Sequence, residues 1–512
     1  MKQWDGSKHL NGKTGRETPV INYLDPNDLG KALSKDWLLN PTNVNKTTLL
    51  HLEDSGLDMF GTKGSDALVE MMNTMMKYSV DTSHPHFYNQ MYGTLDPAAM
   101  CGELVSLFQN VSNYTYEACP CYSMMEAEVL TNFCKLLGWD FSKSDGMMMP
   151  GGSTSNLMAL HIARHHLYPD TQKKGMKGTK ERLCAFVSKE AHYSFIKTIG
   201  VLGMGRNNLI KVETTQMGGL DIDDLNTKIA ECKAGGGSPF FIGCTAGSTV
   251  KGTYDNFEAC ADIAKKNKLW MHIDGAWGGS ALFSDRPEFK KLMSGSSRAD
   301  SFTVNPHKML GTPLQTTIFM TSHNGLLLDT NSSEAKYLFD KRKKNAHLDI
   351  GDGTFLCGRK NDSIKIWCLW KFRGKKGIAA RVESNADNIS TLADKIRKHP
   401  NFMLACEPWP FNVNFLYLPK RIRKMMEDEG IDTSSAANVK DFPEHIAEAI
   451  STIAIKLKLR LQEKGLAMLP YQPLVGQKAQ VFRVILAGCR DDYGEAEMDE
   501  LMTNCVEYGD DL

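Results

Sequence analysis

Between residues 120 and 330, short β-rich runs alternate with longer helical segments, and this alternation is the feature that most constrains the fold. The β-rich runs are LCAFVS at 183–188, PFFIGCT at 239–245, LWMHID at 269–274 and DSFTVN at 300–305. The segment DNFEACADIAKKNK at 255–268 carries its apolar residues on one helical face. The pattern predicts right-handed βαβ crossovers and an α/β fold with a mostly parallel central sheet flanked by helices.

The length of 512 residues exceeds what one simple hydrophobic core supports, so two or three domains are expected. Helical patterns such as SDALVEMMNTMMKYSV precede residue 110, and NVNFLYLP and VFRVILAG flank a helical stretch near the C-terminus. We predict an N-terminal helical segment at 1–110, a large domain at 111–385 and a smaller α+β C-terminal domain at 386–512.

Charge and cysteine usage exclude several classes of partner. Lys plus Arg and Asp plus Glu number 60 each, so the net charge is zero and no basic stripe indicates nucleic acid. No apolar run approaches the ~18 residues that span a membrane. The N-terminus lacks the apolar core of a secretory signal. The 13 cysteines form no CxxC pair, which is typical of reduced thiols and not of metal ligands. We therefore expect a cytoplasmic protein without metal, membrane or nucleic-acid partners.

Polar or reactive side chains follow the predicted strands, and ligands bind at the carboxyl ends of strands in open parallel sheets. In chain order these side chains are His192, Thr245, Asp274 with Ala276 nearby, Asn305, His307 and Lys308. Upstream, Ser153 and Thr154 follow two glycines at the start of a predicted helix. Backbone N–H groups, hydroxyls and the helix dipole at such a turn favour a phosphate.

Each of these residues has a simpler structural explanation when it is taken alone. Lys308 could be a surface lysine with a buried stem, His192 a core histidine, and Asp274 a turn cap. The alternative for Lys308 is a desolvated amine whose pKa is lowered for covalent chemistry. The combination favours function, because pyridoxal 5′-phosphate requires a Schiff-base lysine and an acid partner for its pyridine nitrogen.

The motifs HIDGAWGG and NPHK, in this order and spacing, resemble those of the group II decarboxylases in the pyridoxal-phosphate fold type I superfamily. Within that group, HPHFYNQ, YTYEACP, PGGSTSN, CTAGSTV, KYLF, CGR and VFRV are similar to the branch of glutamate, cysteine sulfinate and aspartate decarboxylases. The resemblance covers about residues 50–512. It implies a homodimer whose active site is shared between subunits, with the cofactor in the middle domain and the N-terminal segment packed across the dimer.

The resemblance also implies roles for individual residues. Lys308 would bind pyridoxal 5′-phosphate as a Schiff base, Asp274 would face its pyridine nitrogen, and His192 would stack on the ring. The other cofactor contacts would come from Ser153, Thr154, Thr245, Ala276, Asn305, His307, Cys357 and Gly358. The contact from Cys357 and Gly358 would come from the neighbouring subunit.

Decarboxylation leaves a carbanion to which a positioned acid must return a proton, and by resemblance that acid is Tyr337 of AKYLF. Arg483 of VFRV would bind the acidic group at the far end of the substrate. A guanidinium on the leaving carboxylate would stabilise the ground state more than the transition state. On the distal acid it forms charge-assisted hydrogen bonds that orient the scissile bond.

Two further residues bear on the choice of substrate. Gln90 of FYNQ matches a substrate-pocket glutamine of these relatives. At the position of Tyr92, glutamate decarboxylases typically carry serine, whereas cysteine sulfinate and aspartate decarboxylases carry an aromatic ring. Because a ring shortens the pocket, we expect cysteine sulfinate or aspartate as substrate, giving hypotaurine or β-alanine. Glutamate, giving 4-aminobutyrate, is the alternative.

Two other functions remain open at this point. An aminotransferase of the same superfamily would keep Lys308 and Asp274 but return the proton elsewhere. A catalytically inactive relative would act as a binding or assembly protein. A protein that absorbs no visible light after addition of pyridoxal phosphate would exclude the enzyme hypothesis.

Overall fold

The computed structural model describes residues 19–23, 65–333, 335, 337–340, 342–431, 439, 441–488 and 490–512, without the side chains at 65–68, 70 and 71. Much of the predicted N-terminal segment, at 1–18 and 24–64, lies outside the described residues, and so does its predicted packing across a dimer. The described part begins with three helices, α1 (Ser65–Tyr78), α2 (Pro97–Gln109) and α3 (Pro120–Leu136). The predicted helix over SDALVEMMNTMMKYSV is confirmed by α1.

Seven strands form the central sheet in the spatial order β1-β7-β6-β5-β4-β2-β3. They are β1 (Asp145–Met149), β2 (Arg182–Ser188), β3 (Leu209–Val212), β4 (Gly237–Thr245), β5 (Trp270–Gly275), β6 (Ser301–Val304) and β7 (Thr317–Thr321). The five strands from β6 to β3 in the spatial order are parallel. Strand β7 is antiparallel to both β6 and β1. The predicted mostly parallel sheet is therefore confirmed.

Helices connect these strands and cover the sheet. They are α4 (Gly152–Leu167), α5 (Asp170–Lys174), α6 (Ser194–Val201), α7 (Ile222–Ala234), α8 (Phe257–Asn267), α9 (Pro287–Leu292) and α10 (Leu326–Asn331). Helix α8 shows why the sequence folds this way. Asn256 caps it by accepting from the backbone N–H of Ala259, Lys268 ends it in the left-handed conformation, and its buried face is Phe257, Cys260, Ala261, Ile263 and Ala264.

Helix α11 (Ser363–Lys398) leads to a second, four-stranded antiparallel sheet of order β10-β11-β9-β8. The helix is interrupted at Gly374, whose φ of 64° belongs to the left-handed region that glycine adopts without a Cβ clash. The remaining elements are β8 (Phe402–Leu404), β9 (Val413–Tyr417), α12 (Lys420–Asp428), α13 (Glu444–Glu463), β10 (Tyr471–Pro473), β11 (Gln480–Val484) and α14 (Glu495–Gly509). The predicted α+β pattern at the C-terminal end is confirmed.

One rim of the central sheet collects the ends of its strands. Strands β2, β4, β5 and β6 are parallel and end there, and the register pairs Thr245 with Asp274 and Asp274 with Thr303. Strand β1 runs in the same direction as β6, because two antiparallel steps separate them, so Pro150 and Gly151 follow it at this rim. Strand β7 runs the other way and begins at the rim. Six chain segments therefore meet at one edge.

None of the helices in the described ranges is long and apolar enough to cross a membrane.

Candidate active site

A cavity of about 240 Å³ opens at this rim of the central sheet. Eight of the residues predicted to bind the cofactor line it, namely Ser153, His192, Thr245, Asp274, Ala276, Asn305, His307 and Lys308. The rest of its lining, which the sequence analysis left unassigned, is Pro150, Gly151, Gly152, Glu190, Tyr193, Gly247, Ser248, Thr249, Trp277 and Gln315. The fold thus brings together side chains that are more than 150 residues apart in the sequence.

The N-terminus of α4 forms one wall of the cavity. Gly151 precedes the helix with a φ of 96°. A Cβ at Gly152 would lie 3.0 Å from Asn305 Nδ2, so glycine allows the helix to approach the loop after β6. Ser153 is exposed to the cavity, whereas Thr154 donates to the carbonyl of Pro150 at 3.1 Å and does not line it. Unpaired N–H groups and a hydroxyl at a helix start suit a phosphate.

Lys308 lines the cavity just after β6. Its backbone N–H donates to the carbonyl of Asn305 at 2.9 Å, which closes a turn. Burial lowers the pKa of the Lys308 amine, the carboxylate of Asp274 opposes this shift, and the guanidinium of Arg483 adds to it. A lowered pKa increases the neutral fraction of the amine, and the neutral amine is the form that attacks a carbonyl carbon.

Asp274 is buried at the end of β5, with 6% of its surface exposed. One carboxylate oxygen accepts from the backbone N–H of Ala276 at 3.0 Å. The other accepts from Asn156 Nδ2 at 2.7 Å. Both oxygens act as acceptors, and this is the arrangement of an ionised carboxylate that can face a protonated ring nitrogen.

Two imidazoles complete the wall. His192 Nδ1 lies 2.9 Å from Ser194 Oγ, and burial lowers the pKa of His192, with Asp274 opposing and Lys308 adding to the shift. His307 is buried and its Nδ1 lies 3.0 Å from the backbone N–H of Thr316. Burial lowers the pKa of His307 to about 4, and Lys308 adds to this effect. Both rings are therefore neutral near pH 7.

Besides the ion-paired Glu190 Oε1, two buried polar atoms of the lining have no hydrogen-bond partner within the described chain. These are Thr245 Oγ1 and Asn305 Oδ1. An unsatisfied buried polar group costs ~1–3 kcal/mol, so it indicates a partner supplied by a ligand. The helix start, the ionised Asp274, the amine of Lys308 and these two free atoms fit a pyridine ring that carries a phosphate and an aldehyde. The residues present therefore fit pyridoxal 5′-phosphate.

Arg483 lies beside the cavity, on β11 of the second sheet. It is 3% exposed, and its two Nη atoms donate to the carbonyls of Thr249 at 2.8 Å and Asn89 at 3.1 Å. Its buried Nε donates to no group in the described chain. Burial lowers the pKa of Arg483 to about 10, so the group remains a cation near pH 7. Because Thr249 lines the cavity, the bond to its carbonyl places this cation at the cavity edge, where it lowers the pKa of Lys308.

Besides Thr154 and Arg483, five residues predicted for the site do not line the cavity within one chain. Tyr337 lies on the surface with 86% of its area exposed. Cys357 and Gly358 are also exposed. Gln90 is exposed as well, although it follows the residue whose carbonyl accepts from Arg483.

The fifth residue, Tyr92, is half-buried outside the cavity. Its ring centroid lies 6.0 Å from that of Phe87, in a small apolar cluster with Val20 and Met468. Within the described chain, Tyr92 therefore packs against the segment around Val20, and the predicted effect of its ring on pocket length remains a prediction.

Sequence reasoning missed two groups that contact the site. Glu190 lines the cavity, and its carboxylate lies 3.3 Å from Lys251 Nζ in a buried ion pair. Burial raises the pKa of Glu190, and Lys251 opposes that shift. Glu190 follows β2 and could have been found by the strand-end rule. Asn156 donates a hydrogen bond to Asp274. It lies in the PGGSTSN motif, and the only indication of its role in the sequence is its position three residues after Ser153 on the same helix.

No group of three or more His, Cys, Asp or Glu side chains that could hold a metal ion occurs in the part of the chain that the structure describes.

The chain is similar in sequence and structure to members of a known protein family. The family described as "Pyridoxal-dependent decarboxylase conserved domain" matches residues 61–418. Human cysteine sulfinic acid decarboxylase is 36% identical over 447 residues, which are 87% of this chain and 86% of that protein. Glutamate decarboxylase of Drosophila melanogaster is also 36% identical over 447 residues, 87% of this chain and 84% of that protein.

Two further comparisons agree with these. The human acidic amino acid decarboxylase GADL1 is 34% identical over 474 residues, 92% of this chain and 85% of that protein. The crystal structure of mouse CSAD superposes with a TM-score of 0.84 at 32% identity, covering 96% of this chain and 94% of that chain.

Proposed function

Because this chain belongs to the pyridoxal-dependent decarboxylase family, we propose that it decarboxylates a small acidic amino acid with pyridoxal 5′-phosphate as cofactor. The observation that carries the proposal is the pairing of the Lys308 amine, whose pKa is lowered, with the ionised Asp274 in one cavity beside Arg483. The first two groups serve the cofactor, and the third is a cation for an acidic substrate. The named relatives act on acidic amino acids, and this supports the same choice.

When bound, pyridoxal 5′-phosphate supplies the electron sink that accepts the electron pair left by the departing carbon dioxide. The chain supplies everything else. Lys308 provides the amine that attaches the cofactor, and Asp274 provides the charge that holds its ring nitrogen protonated. Ser153 and the start of α4 provide phosphate donors, and Thr245 and Asn305 each have a polar atom free for the ligand.

Arg483 is the proposed anchor for the distal acid of the substrate. Its two Nη atoms are held by backbone carbonyls, so the guanidinium is fixed in place before substrate arrives. A fixed cation at the far end of the substrate orients the scissile bond without stabilising the carboxylate that must leave. Its burial in a region of low dielectric strengthens the attraction to an acid.

The preferred substrate is proposed to be cysteine sulfinate or aspartate, with glutamate as the alternative. The identities to cysteine sulfinic acid decarboxylase and glutamate decarboxylase are the same at 36%, so overall similarity favours neither. The proposal rests on Tyr92, an aromatic residue where glutamate decarboxylases typically carry serine. One methylene of substrate length discriminates by only ~1–3 kcal/mol, so overlapping activities are expected.

A side-by-side decarboxylation assay tests this proposal with cysteine sulfinate, cysteate, aspartate and glutamate. We expect carbon dioxide release to be fastest with cysteine sulfinate or aspartate. Tyr92→Ser should shift the preference toward glutamate by about 10-fold, and Tyr92→Phe, which keeps the ring, should not. A wild-type preference for glutamate would refute the substrate assignment. No activity with any of the four acids would refute the function itself.

We further propose that the active protein is a homodimer in which the second copy completes each site. Exposed apolar side chains support this proposal, because α2 and the loop after it present Leu104, Val105, Leu107, Phe108 and Val111, with Phe108 83% exposed. The positions of Tyr337, Cys357 and Gly358 outside the cavity of their own chain support it as well.

The division into 1–110, 111–385 and 386–512 is retained as a proposal. The seven-stranded sheet falls within the second range and the four-stranded sheet within the third, in support of it. A cytoplasmic location is likewise proposed. The cysteines of the described residues all carry free thiols, as expected in a reducing compartment.

A further inference from the structure

A buried chain of hydrogen bonds runs behind the cavity and connects Asp274 to His192. We call it the Asn156 network, and its members are Trp270, Ser301, His272, Asn156, Asp274, Ser194 and His192. All are buried except His192, which is half-buried at the cavity wall. The network branches at Asn156, which contacts both Asp274 and Ser194, and each bonded pair lies between 2.7 and 3.0 Å apart. The directions of these bonds follow from the orientation of the Asn156 amide toward Asp274 and from the backbone N–H of Ser194 that points at His192.

Trp270 fixes the first bonds. The indole Nε1–H is only a donor, and it lies 2.9 Å from Ser301 Oγ. Ser301 Oγ therefore accepts from the indole and is free to give its own proton to His272 Nδ1, 2.8 Å away. Burial lowers the pKa of His272 to about 4, so the ring is neutral and carries one proton. Because Asn156 Oδ1, which faces Nε2, is only an acceptor, that proton resides on Nε2, and Nδ1 accepts from Ser301.

Asn156 accepts a hydrogen bond at its amide oxygen and donates two from its amide nitrogen. Its Oδ1 lies 3.0 Å from His272 Nε2, so the ring N–H donates to the amide oxygen. This orientation leaves both Nδ2 protons for Asp274 Oδ2 at 2.7 Å and Ser194 Oγ at 2.9 Å. The flipped amide would set its oxygen against a carboxylate oxygen, which is repulsive unless the carboxylate is protonated. The orientation in which Nδ2 donates to Asp274 Oδ2 therefore matches the ionised form of Asp274.

Ser194 connects Asn156 to His192 at the cavity wall. Its Oγ accepts from Asn156, and its hydroxyl proton goes to His192 Nδ1 at 2.9 Å, which must be an acceptor because a backbone N–H also points at it. The backbone N–H of Ser194 lies 3.3 Å from the same nitrogen. The neutral His192 ring thus accepts at Nδ1 and holds its proton on Nε2. The charged groups that act on these members from outside the network are Lys308 and Lys197.

We propose that Asn156 is a positioning residue that couples the ionised state of Asp274 to the Nε2–H tautomer of His192, so that the cofactor ring meets a fixed charge at its nitrogen and a fixed imidazole at its face. The proposal rests on the proposed function, which places Asp274 and His192 against the ring. It adds a residue that need not touch the cofactor and yet sets the state of two residues that do. Residues that orient direct ligands in this way often change affinity by ~10–100-fold when they are replaced.

The first test replaces the amide by a carboxylate of the same shape. In Asn156→Asp, two carboxylates lie within hydrogen-bond distance and share one proton at neutral pH, as like charges at this separation do. The counter-charge for the cofactor nitrogen is then weakened. It returns as rising pH removes the shared proton. We expect the dissociation constant for pyridoxal 5′-phosphate, measured by titrating the unloaded protein, to rise by about 10-fold or more over wild type near pH 6.5. The ratio of the dissociation constant of the variant to that of wild type should then decrease as the pH is raised to 9.

Two matched variants define the controls. Asn156→Ala removes the donor without adding a charge, so its loss of affinity should be the same at every pH. Asn226→Asp makes the same chemical change at an exposed asparagine on α7, whose side chain donates only to its own helix, and should leave the affinity unchanged. A ratio for Asn156→Asp that does not change with pH would contradict the coupling.

A second measurement uses the wild-type protein and does not depend on how the variants fold. In the ¹⁵N spectrum of histidine-labelled protein, His192 and His272 should both appear as neutral Nε2–H tautomers, with the signals assigned by their loss in His192→Gln and His272→Gln. A Nδ1–H tautomer for either ring would overturn the proposal. If wild type does not bind pyridoxal 5′-phosphate at all, the proposed function fails, whereas the tautomers remain a separate result.

Discussion

The two sides of the proposed reaction are prepared to different degrees in a single chain. On the cofactor side, Asp274, His192 and His307 are held by hydrogen bonds of 2.7–3.0 Å to neighbouring groups. On the side that must return a proton to the substrate, Tyr337 is 86% exposed and away from the cavity. One half of the site is fixed by the fold of one chain, and the other half is not assembled by it.

This difference shows how the two halves are built. The residues of the cofactor half follow the ends of β1, β4, β5 and β6, and the register of the sheet determines which residues are neighbours there. The proposed proton donor, Tyr337, lies on an exposed segment outside the cavity of its own chain. We infer that the fold guarantees cofactor attachment within each chain and that association of two chains supplies the proton donor.

The largest effect is expected from Lys308→Ala. Loss of the amine should reduce turnover on the order of 10⁴-fold or more, because no other group in the cavity can attach the cofactor. The fold should persist, since the side chain lines a cavity. Reduction with borohydride followed by mass measurement checks the attachment. Lys189→Ala, a surface lysine paired with Glu213, should still form the adduct. A reducible adduct on the Lys308→Ala variant would mean that a different lysine holds the cofactor.

A smaller effect is expected from Arg483→Met. Loss of a charge-assisted hydrogen bond to the distal acid should raise the KM for acidic substrates by about 10–100-fold, and cofactor attachment should remain intact. Arg490→Met is the matched control, because Arg490 is also buried and donates to the backbone carbonyls of His84 and Phe87. The control should lower stability without changing KM. Equal KM changes in both variants would assign Arg483 a structural role only.

The sequence could predict that the proposed cofactor residues converge on one cavity, and the reason is physical. Strand ends at 274 and 305 can be read from short apolar runs, and parallel strands must meet at one rim, so Asp274, Asn305 and Lys308 followed from local patterns. The four predicted strands of the central sheet and the helix at 255–268 are confirmed for the same reason.

The parts that escaped prediction depend on contacts between distant residues. Asn156 donates a hydrogen bond to Asp274, which lies 118 residues away in the sequence. Glu190, in the loop after β2, forms an ion pair with Lys251, in the loop after β4. No periodicity encodes such pairs. Tyr337 was assigned by resemblance alone, and it lies outside the cavity of its own chain.

The most direct test of this account mixes two inactive variants, Lys308→Ala and Tyr337→Phe. Alone, the first lacks cofactor attachment, and the second should lose about 10²–10⁴-fold of amine production, because its cavity binds cofactor but receives no proton donor. If Tyr337 acts in the cavity of the partner subunit, co-expression restores one complete site in each mixed dimer. Random pairing makes about half of the dimers mixed, so about a quarter of the wild-type activity should return. Activity no higher than that of the two variants alone would contradict the shared site and place the proton donor within a single chain.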